Sequence, residues 1–329
     1  MGLYDYEVDV YIHRVRKKDP TLTRIILNEY GKKKVIRLIR CLHVTTFVTC
    51  LDLGYICIGA NGAAVLSKVL QVNTTLREVS LCHTNIGDEG ALALAKSLHV
   101  NSFLTTLNIR YNHIGFKGAI ALAEALQVNT ALERLSLGNN EIGDRGAIAF
   151  ANGLYTNNTL LILDVDNNFM GPAGGAALGN VLFENTSLMA LFLDDNKIGD
   201  VGAMAFVTAL QINTTLKKLS ISDNSIGISS LKAFENVIQA NFSLLVFCFT
   251  WNVESAIPEI DYLLERNRQQ WPLEYWQPDL HHTFHADAHI MLITSFICND
   301  AKGKAMPRLP IEVWKLIFSF FARNQFPLN

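Results

Sequence analysis

The chain has 329 residues, half of them hydrophobic and 18% charged, enough to bury a large core in two domains or in one elongated repeat domain with ends. Its formal net charge of −2 offers no global field to nucleic acid, so DNA or RNA binding would need a local basic patch. No run of about 18 apolar residues exists to span a membrane, and the opening MGLYDYEVDVYIHRVRKKD has early acids and no apolar core of a secretory signal.

Along the chain, Tyr6 breaks the myristoylation pattern, and the short basic run Arg14 to Lys18 reads as a solvated flank. Leu22-x-x-Ile25-x-Leu27 reads as a degenerate first strand, with KKKVIRLIRCL, residues 32–42, as its helix. Residues 1–47 are thus expected to form an N-terminal cap with a degenerate first repeat.

From residue 48 to residue 270 the chain repeats itself every 28 residues. Each unit opens on an apolar triplet. Val48/Leu51/Leu53 is the first and Leu76/Val79/Leu81 the second. Leu104/Leu107/Ile109, Leu132/Leu135/Leu137, Leu160/Leu163/Val165, Leu188/Leu191/Leu193, Leu216/Leu219/Ile221 and Leu244/Phe247/Phe249 follow. Period-two alternation over so few residues predicts a short strand with one buried face. An Asn follows at 112, 140, 168, 196, 224 and 252, where a turning backbone leaves polar groups to satisfy. A helix comes next: Ala91, Leu94, Ala95 and Leu98, like Ala119, Leu122, Ala123 and Leu126, stand at i, i+3, i+4, i+7. Its small members allow close packing on the strand. A connector such as VNTTL then joins helix to strand, and its Asn and Thr are expected to bond the last helical carbonyls. The sequons at Asn73 and Asn213 belong to these connectors, which gives them a structural role and no sugar. One strand and one helix cannot enclose a core, but stacked copies can.

The unit LERLSLGNNEIGDRGAIAFANGL, residues 132–154, and its copies resemble leucine-rich repeats of the ribonuclease-inhibitor type, found also in the sensor ends of NOD-like receptors. The resemblance covers about residues 20 to 270. It implies an α/β leucine-rich-repeat solenoid, a horseshoe with a parallel sheet on the concave face and helices outside. The ends depart from the pattern, as terminal repeats must. IPEIDYLLERNRQQ, residues 257–270, reads as the last helix, and Glu235 stands where other units have a small apolar residue, so the array loosens there.

The inner face is where such arrays bind. Reading down the columns brings Asp164, Asp166, Asp194, Asp195 and Asp223 into one acidic patch with Phe192 inside it. Tyr55, His83, Arg110 and Tyr111 form a second cluster, aromatic and basic. Crowded acids repel unless a cation or a basic partner joins them. The functional reading is a basic or mixed protein surface docked there, with Phe192 and Trp251 as anchors; the plain reading is variation on a solvated face. Calcium is a weak alternative, since the acids come from different strands without a loop signature.

No nucleophile–base set, phosphate-binding loop or zinc motif is present, so neither enzyme nor cofactor is expected. His281, His285 and His289 share a helical face that reads as packed helix rather than a metal site. The six cysteines form no CxxC pair or framework, which fits free thiols in a reducing, cytoplasmic setting.

Residues 271–329 break the period. WPLEYWQPDL suggests a lid over the last repeat, and LPIEVWKLIFSFF, residues 309–321, a helix with two apolar stripes. One stripe holds Val313, Leu316, Ile317 and Phe320; the other holds Trp314, Phe318 and Phe321. Leu309, Pro310, Glu312, Val313, Ile317, Phe318, Ser319 and Phe320 resemble the opening of an F-box, which binds the Skp1 adaptor of cullin-type ubiquitin ligases. Only eight residues follow Phe321, so most of an F-box is missing. HIMLITSFIC with LPIEVW also resembles, loosely, an elongin-binding SOCS box that lacks its usual cysteine. These resemblances imply a substrate receptor, with a protein target on the concave face and a Skp1-like or elongin-like adaptor on Leu309, Pro310, Val313, Ile317, Phe318 and Phe320. The alternatives are a plain cap helix and a ribonuclease-inhibitor-like binding or sensing protein that uses its acidic face. A bacterial or viral protein acting inside a eukaryotic cell would also suit a shortened adaptor motif.

Overall fold

The computed structural model describes residues 4–27, 31–249 and 258–269, within Met1–Gln270, the first of the two units into which the chain divides. The short strands are β1 (Arg24–Ile26), β2 (Cys50–Asp52), β3 (Glu78–Ser80), β4 (Thr106–Asn108), β5 (Arg134–Ser136), β6 (Ile162–Asp164), β7 (Ala190–Phe192), β8 (Lys218–Ser220) and β9 (Val246–Cys248). The helices are α1 (Tyr4–Arg16), α2 (Lys32–Cys41), α3 (Gly59–Leu70), α4 (Gly87–Leu98), α5 (Phe116–Leu126), α6 (Gly143–Thr156), α7 (Pro172–Val181), α8 (Gly199–Leu210), α9 (Ile228–Ala240) and α10 (Pro258–Gln269). The strands form one nine-stranded sheet in chain order, every pair parallel and in the register of the repeat. This is the repeating strand–helix solenoid expected from the period.

The core lies between sheet and helices. Leu51, Leu107, Leu135, Leu163, Leu191 and Leu219 are buried at the strand centres, facing the helical stripe that includes Leu94, Leu122 and Phe206. Towards the C-terminal end phenylalanine takes over, with Phe234 and Phe247 rings 4.6 Å apart. Glu235 is only half-buried, where Ala95, Ala123 and Ala151 are buried, in line with the expected loosening. The degenerate strand and its helix are present as β1 and α2. Ahead of them residues 4–16 form α1, which packs against α2 and buries Val8, Ile12 and Val15, while Arg16, Lys17 and Lys18 of the basic run are exposed.

Two ladders of buried asparagine hold the repeats in register. In the connectors, Asn129 Nδ2 donates to the carbonyls of Leu98 (2.7 Å) and Asn101 (2.9 Å), both in the preceding repeat. Its Oδ1 accepts from the amides of Ala131 (3.0 Å) and Leu132 (2.8 Å), which starts the next strand segment. Asn101, Asn157, Asn185, Asn213 and Asn241 bond in the same way, and Asn267 of α10 closes the series on Asn241 and Leu244. After the strands, Asn112 Oδ1 accepts the amides of Thr84 and Ile86, while its Nδ2 donates to the Leu81 carbonyl. Backbone groups left over by short strands and tight loops are thereby paired, as burial demands.

The helix starts alternate. α4, α6 and α8 begin at Gly87, Gly143 and Gly199, each with φ near +60°, and each carries an Asp in its first turn. α5, α7 and α9 follow an extended Gly at their N-caps and have no acid in the first turn. The Asp of one helix caps the next. Asp88 Oδ1 accepts from Gly115 and Gly118, Asp144 Oδ1 from Gly171 and Gly174, and Asp200 Oδ1 from Gly227 and the Ser230 hydroxyl. The seam between α7 and α8 is built by close contact instead: a Cβ on Gly179 would lie 2.9 Å from the backbone of Ala205 and Phe206. From α4 to α9 the structural repeat is therefore a pair of units, whereas α3 starts at Gly59 with φ +64° like α4 but without an acid in its first turn.

Candidate functional site

Two sets of side chains are spared from the core. The first and third residues of each strand share the sheet face, because alternate residues point the same way. The third-residue column contains Asp52, Ser80, Asn108, Ser136, Asp164, Phe192 and Ser220. The first-residue column contains Glu78, Arg134, Ile162, Ala190 and Lys218, and the alternation that exposes the third residue exposes these equally in the sequence. Beyond the strands, the chain turns through a loop whose tip side chains line one edge of the sheet.

On the sheet face a polar network runs across β4 to β8. The Arg110 guanidinium pairs with Asp164, two strands away, and lies 3.8 Å from Asp166. It crosses β5 over Gly138, where a Cβ would stand 2.5 Å from Arg110 Cζ. Arg110 was expected beside Tyr55, His83 and Tyr111; instead the glycine gap lets it reach the acids, which supply its counter-charge. Asp166 Oδ1 accepts the Asp194 amide at 2.8 Å, and Asp194 Oδ1 accepts the Ser222 amide at 2.7 Å. Ser220 Oγ also donates to Asp194.

Burial dominates the electrostatics of this network. It pushes Asp166 well above the usual carboxylate range, and the charges of Asp164 and Asp194 push the same way; Arg110 opposes them. Burial also raises Asp194 to about 6, against hydrogen bonds from Ser220 and Ser222 and the charge of Lys218. Lys218 is lowered to about 8, again chiefly by burial. Burial works to lower the Arg110 guanidinium, but Asp164 and Asp166 outweigh it. Thus Asp164, Asp166 and Asp194 do come together, and the cations that join them include Arg110 and Lys218 of the same chain. Phe192 lies among them but is only 8% exposed, with the Lys218 ammonium 4.5 Å from its ring centre. It is not the exposed anchor that its column suggested.

The loop tips form a separate row. Tyr55, His83, Tyr111, Asn139, Asn167, Asp195 and Asp223 occupy one repeat position, and all have φ between 47° and 65°. The rings of Tyr55 and His83 stack 5.1 Å apart, and those of His83 and Tyr111 4.2 Å apart. Asn167 Nδ2 donates to Asn139 Oδ1 at 2.8 Å, continuing the row as an amide pair. Asp195 and Asp223 are exposed. Left-handed backbone suits Asn and Asp, but costs a bulky side chain on the order of 1–2 kcal/mol. Each ring stack returns about 0.5–1.5 kcal/mol. Two strained tyrosines and two stacks nearly cancel, so stability does not explain tyrosine here, and histidine tolerates this backbone. Beside the amide pair lies a shallow depression lined by Asn139, Glu141, Asn167 and Phe169. Phe169 is itself a 59% exposed aromatic residue in left-handed backbone.

Trp251 lies outside the described residues, as do Leu309, Pro310, Val313, Ile317, Phe318 and Phe320 of the tail and the histidines 281, 285 and 289. Among the described residues no group of three or more His, Cys, Asp or Glu could hold a metal ion. Cys41, Cys50, Cys57, Cys82 and Cys248 are free thiols, and burial pushes Cys50 up to about 11. No helix among the described residues is long and apolar enough to cross a membrane.

A family model described as "Leucine Rich repeat" matches residues 72–95, 100–123, 128–151, 156–179, 184–207 and 213–234. Each match runs from a connector through a strand into the following helix. No curated protein matches the chain. Solved structures that match include leiomodin-1 actin-binding site 2, at 16% identity, over 82% of this chain and 91% of that one, with a TM-score of 0.25. With six matched units stacked in one parallel sheet, residues 72–234 form a leucine-rich repeat array.

Proposed function

We propose that the array is a non-enzymatic binding scaffold whose sheet face and loop-tip row take a protein target. The observation that carries this reading is the row itself. Seven side chains at one repeat position stand outside the core, and two of them, Tyr55 and Tyr111, are bulky rings in a backbone conformation that does not favour them. Local strain without a return in stability is the mark of a selected surface. The helical return in every unit supports the ribonuclease-inhibitor type of repeat, and a cytoplasmic setting suits the free thiols.

In the finer reading, the chain is a substrate receptor of a cullin-type ubiquitin ligase. Its support is the F-box-like pattern at Leu309, Pro310, Val313, Ile317, Phe318 and Phe320. The experiment is a binding assay of the full chain with purified Skp1 and with purified elongin, beside the double variant Ile317→Asp/Phe320→Asp. Adaptor binding by the native chain, lost in a variant with unchanged circular dichroism, makes the chain a receptor. Binding to neither adaptor removes the ligase role and leaves the scaffold.

The competing reading is an inhibitor or sensor that holds a basic protein against the acidic face, with the tail as a cap. Internal pairing of Asp164, Asp166 and Asp194 weakens its support, because it leaves Asp195 and Asp223 as the exposed acids of the patch. Its signature is strong, salt-sensitive binding that survives removal of the tail.

A further inference from the structure

The loop-tip row has a direction. From β2 to β4 it presents stacked rings, from β5 to β6 an amide pair, and from β7 to β8 carboxylates. Adjacent strands are about 4.8 Å apart, so the middle of the aromatic third and the middle of the acidic third are separated by about 22 Å. An extended peptide covers that distance in about seven residues. Between the two lies the shallow depression lined by Asn139, Glu141, Asn167 and Phe169. The amides there offer donors and acceptors to a peptide backbone.

We infer that the row binds an extended segment of a partner protein that carries an apolar or aromatic residue at one end and basic residues about seven positions away. The inference rests on the sheet side being the binding surface, and adds the partner's chemistry and its spacing. Charge complementarity selects the basic end. Asp195 and Asp223 stand exposed at one end of the row, while the aromatic end presents no carboxylate in the row itself. Lys197 lies on the loop beyond Asp195, so the attraction is local to the row and not a field of the whole face. The network of Arg110, Asp164 and Asp166 beneath is satisfied within the chain and serves as a fixed floor.

The test selects binders to the full-length chain from a phage-displayed library of random peptides about 16 residues long, enough to cover the row with a margin. The binders are measured against two variants. Y55N/H83N/Y111N removes the rings but keeps a residue type that left-handed backbone accepts. D195N/D223N removes the charges isosterically. Expected binders pair Trp, Tyr, Leu or Pro with Arg or Lys about seven positions away. The ring variant weakens them about tenfold or more. The charge variant weakens them about threefold and removes most of the salt dependence. Binders that lack this pairing, or that need only one of the two ends, overturn the inference while leaving the sheet side as a binding surface. If no binder responds to either variant or to Arg110→Ala, or if none emerges, the inference falls together with the sheet-side reading.

Discussion

Asp88 caps a helix to which it does not belong. Its Oδ1 accepts the amide of Gly115, 27 residues later, at 2.8 Å, although Asp88 itself sits in the first turn of α4. Asp144 and Gly171 repeat the relationship at 2.7 Å, and Asp200 and Gly227 at 2.9 Å. One carboxylate thus serves two helix N-termini: by charge its own, and by hydrogen bonds the next. The arrangement ties units into pairs, while seams such as that between α7 and α8 depend on close approach of small residues.

The first prediction follows from these caps. Asp144→Ala removes two hydrogen bonds from α7 and should lower unfolding free energy by about 1–2 kcal/mol. Asp144→Asn keeps an acceptor and should cost less. Urea titration of both variants checks the order.

The connector ladder should matter more. Asn129 is buried and bonds at both ends of its amide. Asn129→Ala leaves the Leu98 carbonyl and the Leu132 amide without these partners inside the fold, at about 2–4 kcal/mol. Asp in its place keeps the acceptor but loses the donor, and buries a charge. Both variants should unfold at lower urea than Asp144→Ala.

Asp194 makes stability depend on pH. Its folded pKa of about 6 lies above that of an unfolded Asp, near 3.9, and burial is the main cause. Between these values the native state holds the proton that the unfolded chain has lost. Its contribution to stability is therefore greatest below about pH 4, falls as pH rises to about 6, and then stays low. Asp194→Asn should remove that fall. The difference in unfolding free energy between native and variant chains, measured from pH 4 to pH 7, reads this group together with its effect on the neighbouring Asp166.

The row should be nearly silent in stability. Y55N/H83N/Y111N gives up two ring stacks but relieves two strained tyrosines, so its unfolding free energy should stay within about 1 kcal/mol of the native chain. A large loss in thermal or urea unfolding would make the rings structural.

Much of this was legible in the sequence, for a physical reason. A stacked repeat makes each core position recur, so Leu135 or Leu122 is announced by its copies. Side chains that obey no copy were harder. Val8, Ile12 and Val15 carry a helical stripe, but they precede the first unit and have no copy to announce α1. Arg110 was grouped with its nearest aromatic neighbours because columns show adjacency, not reach. Gly138, next to Arg110 in its column and small enough to be crossed, is the sign the sequence carries. Phe192 was expected to be an exposed anchor because its column faces outward, yet the crowded face buries it. Strand alternation places Arg134, Lys218 and Ile162 beside that column, a signal that the apolar triplets alone do not carry. The capping role of Asp88 was hidden because its partner lies one repeat away.

The most direct test of the scaffold account is site-specific photo-cross-linking of the full chain in cells. One variant carries a benzophenone amino acid at His83 on the row, the other at Ile120 on the helical side. The account predicts one dominant cross-linked protein from position 83, reduced by D195N/D223N in the same chain, and no such product from position 120. Equal capture from both positions, or capture from position 120 alone, would contradict it.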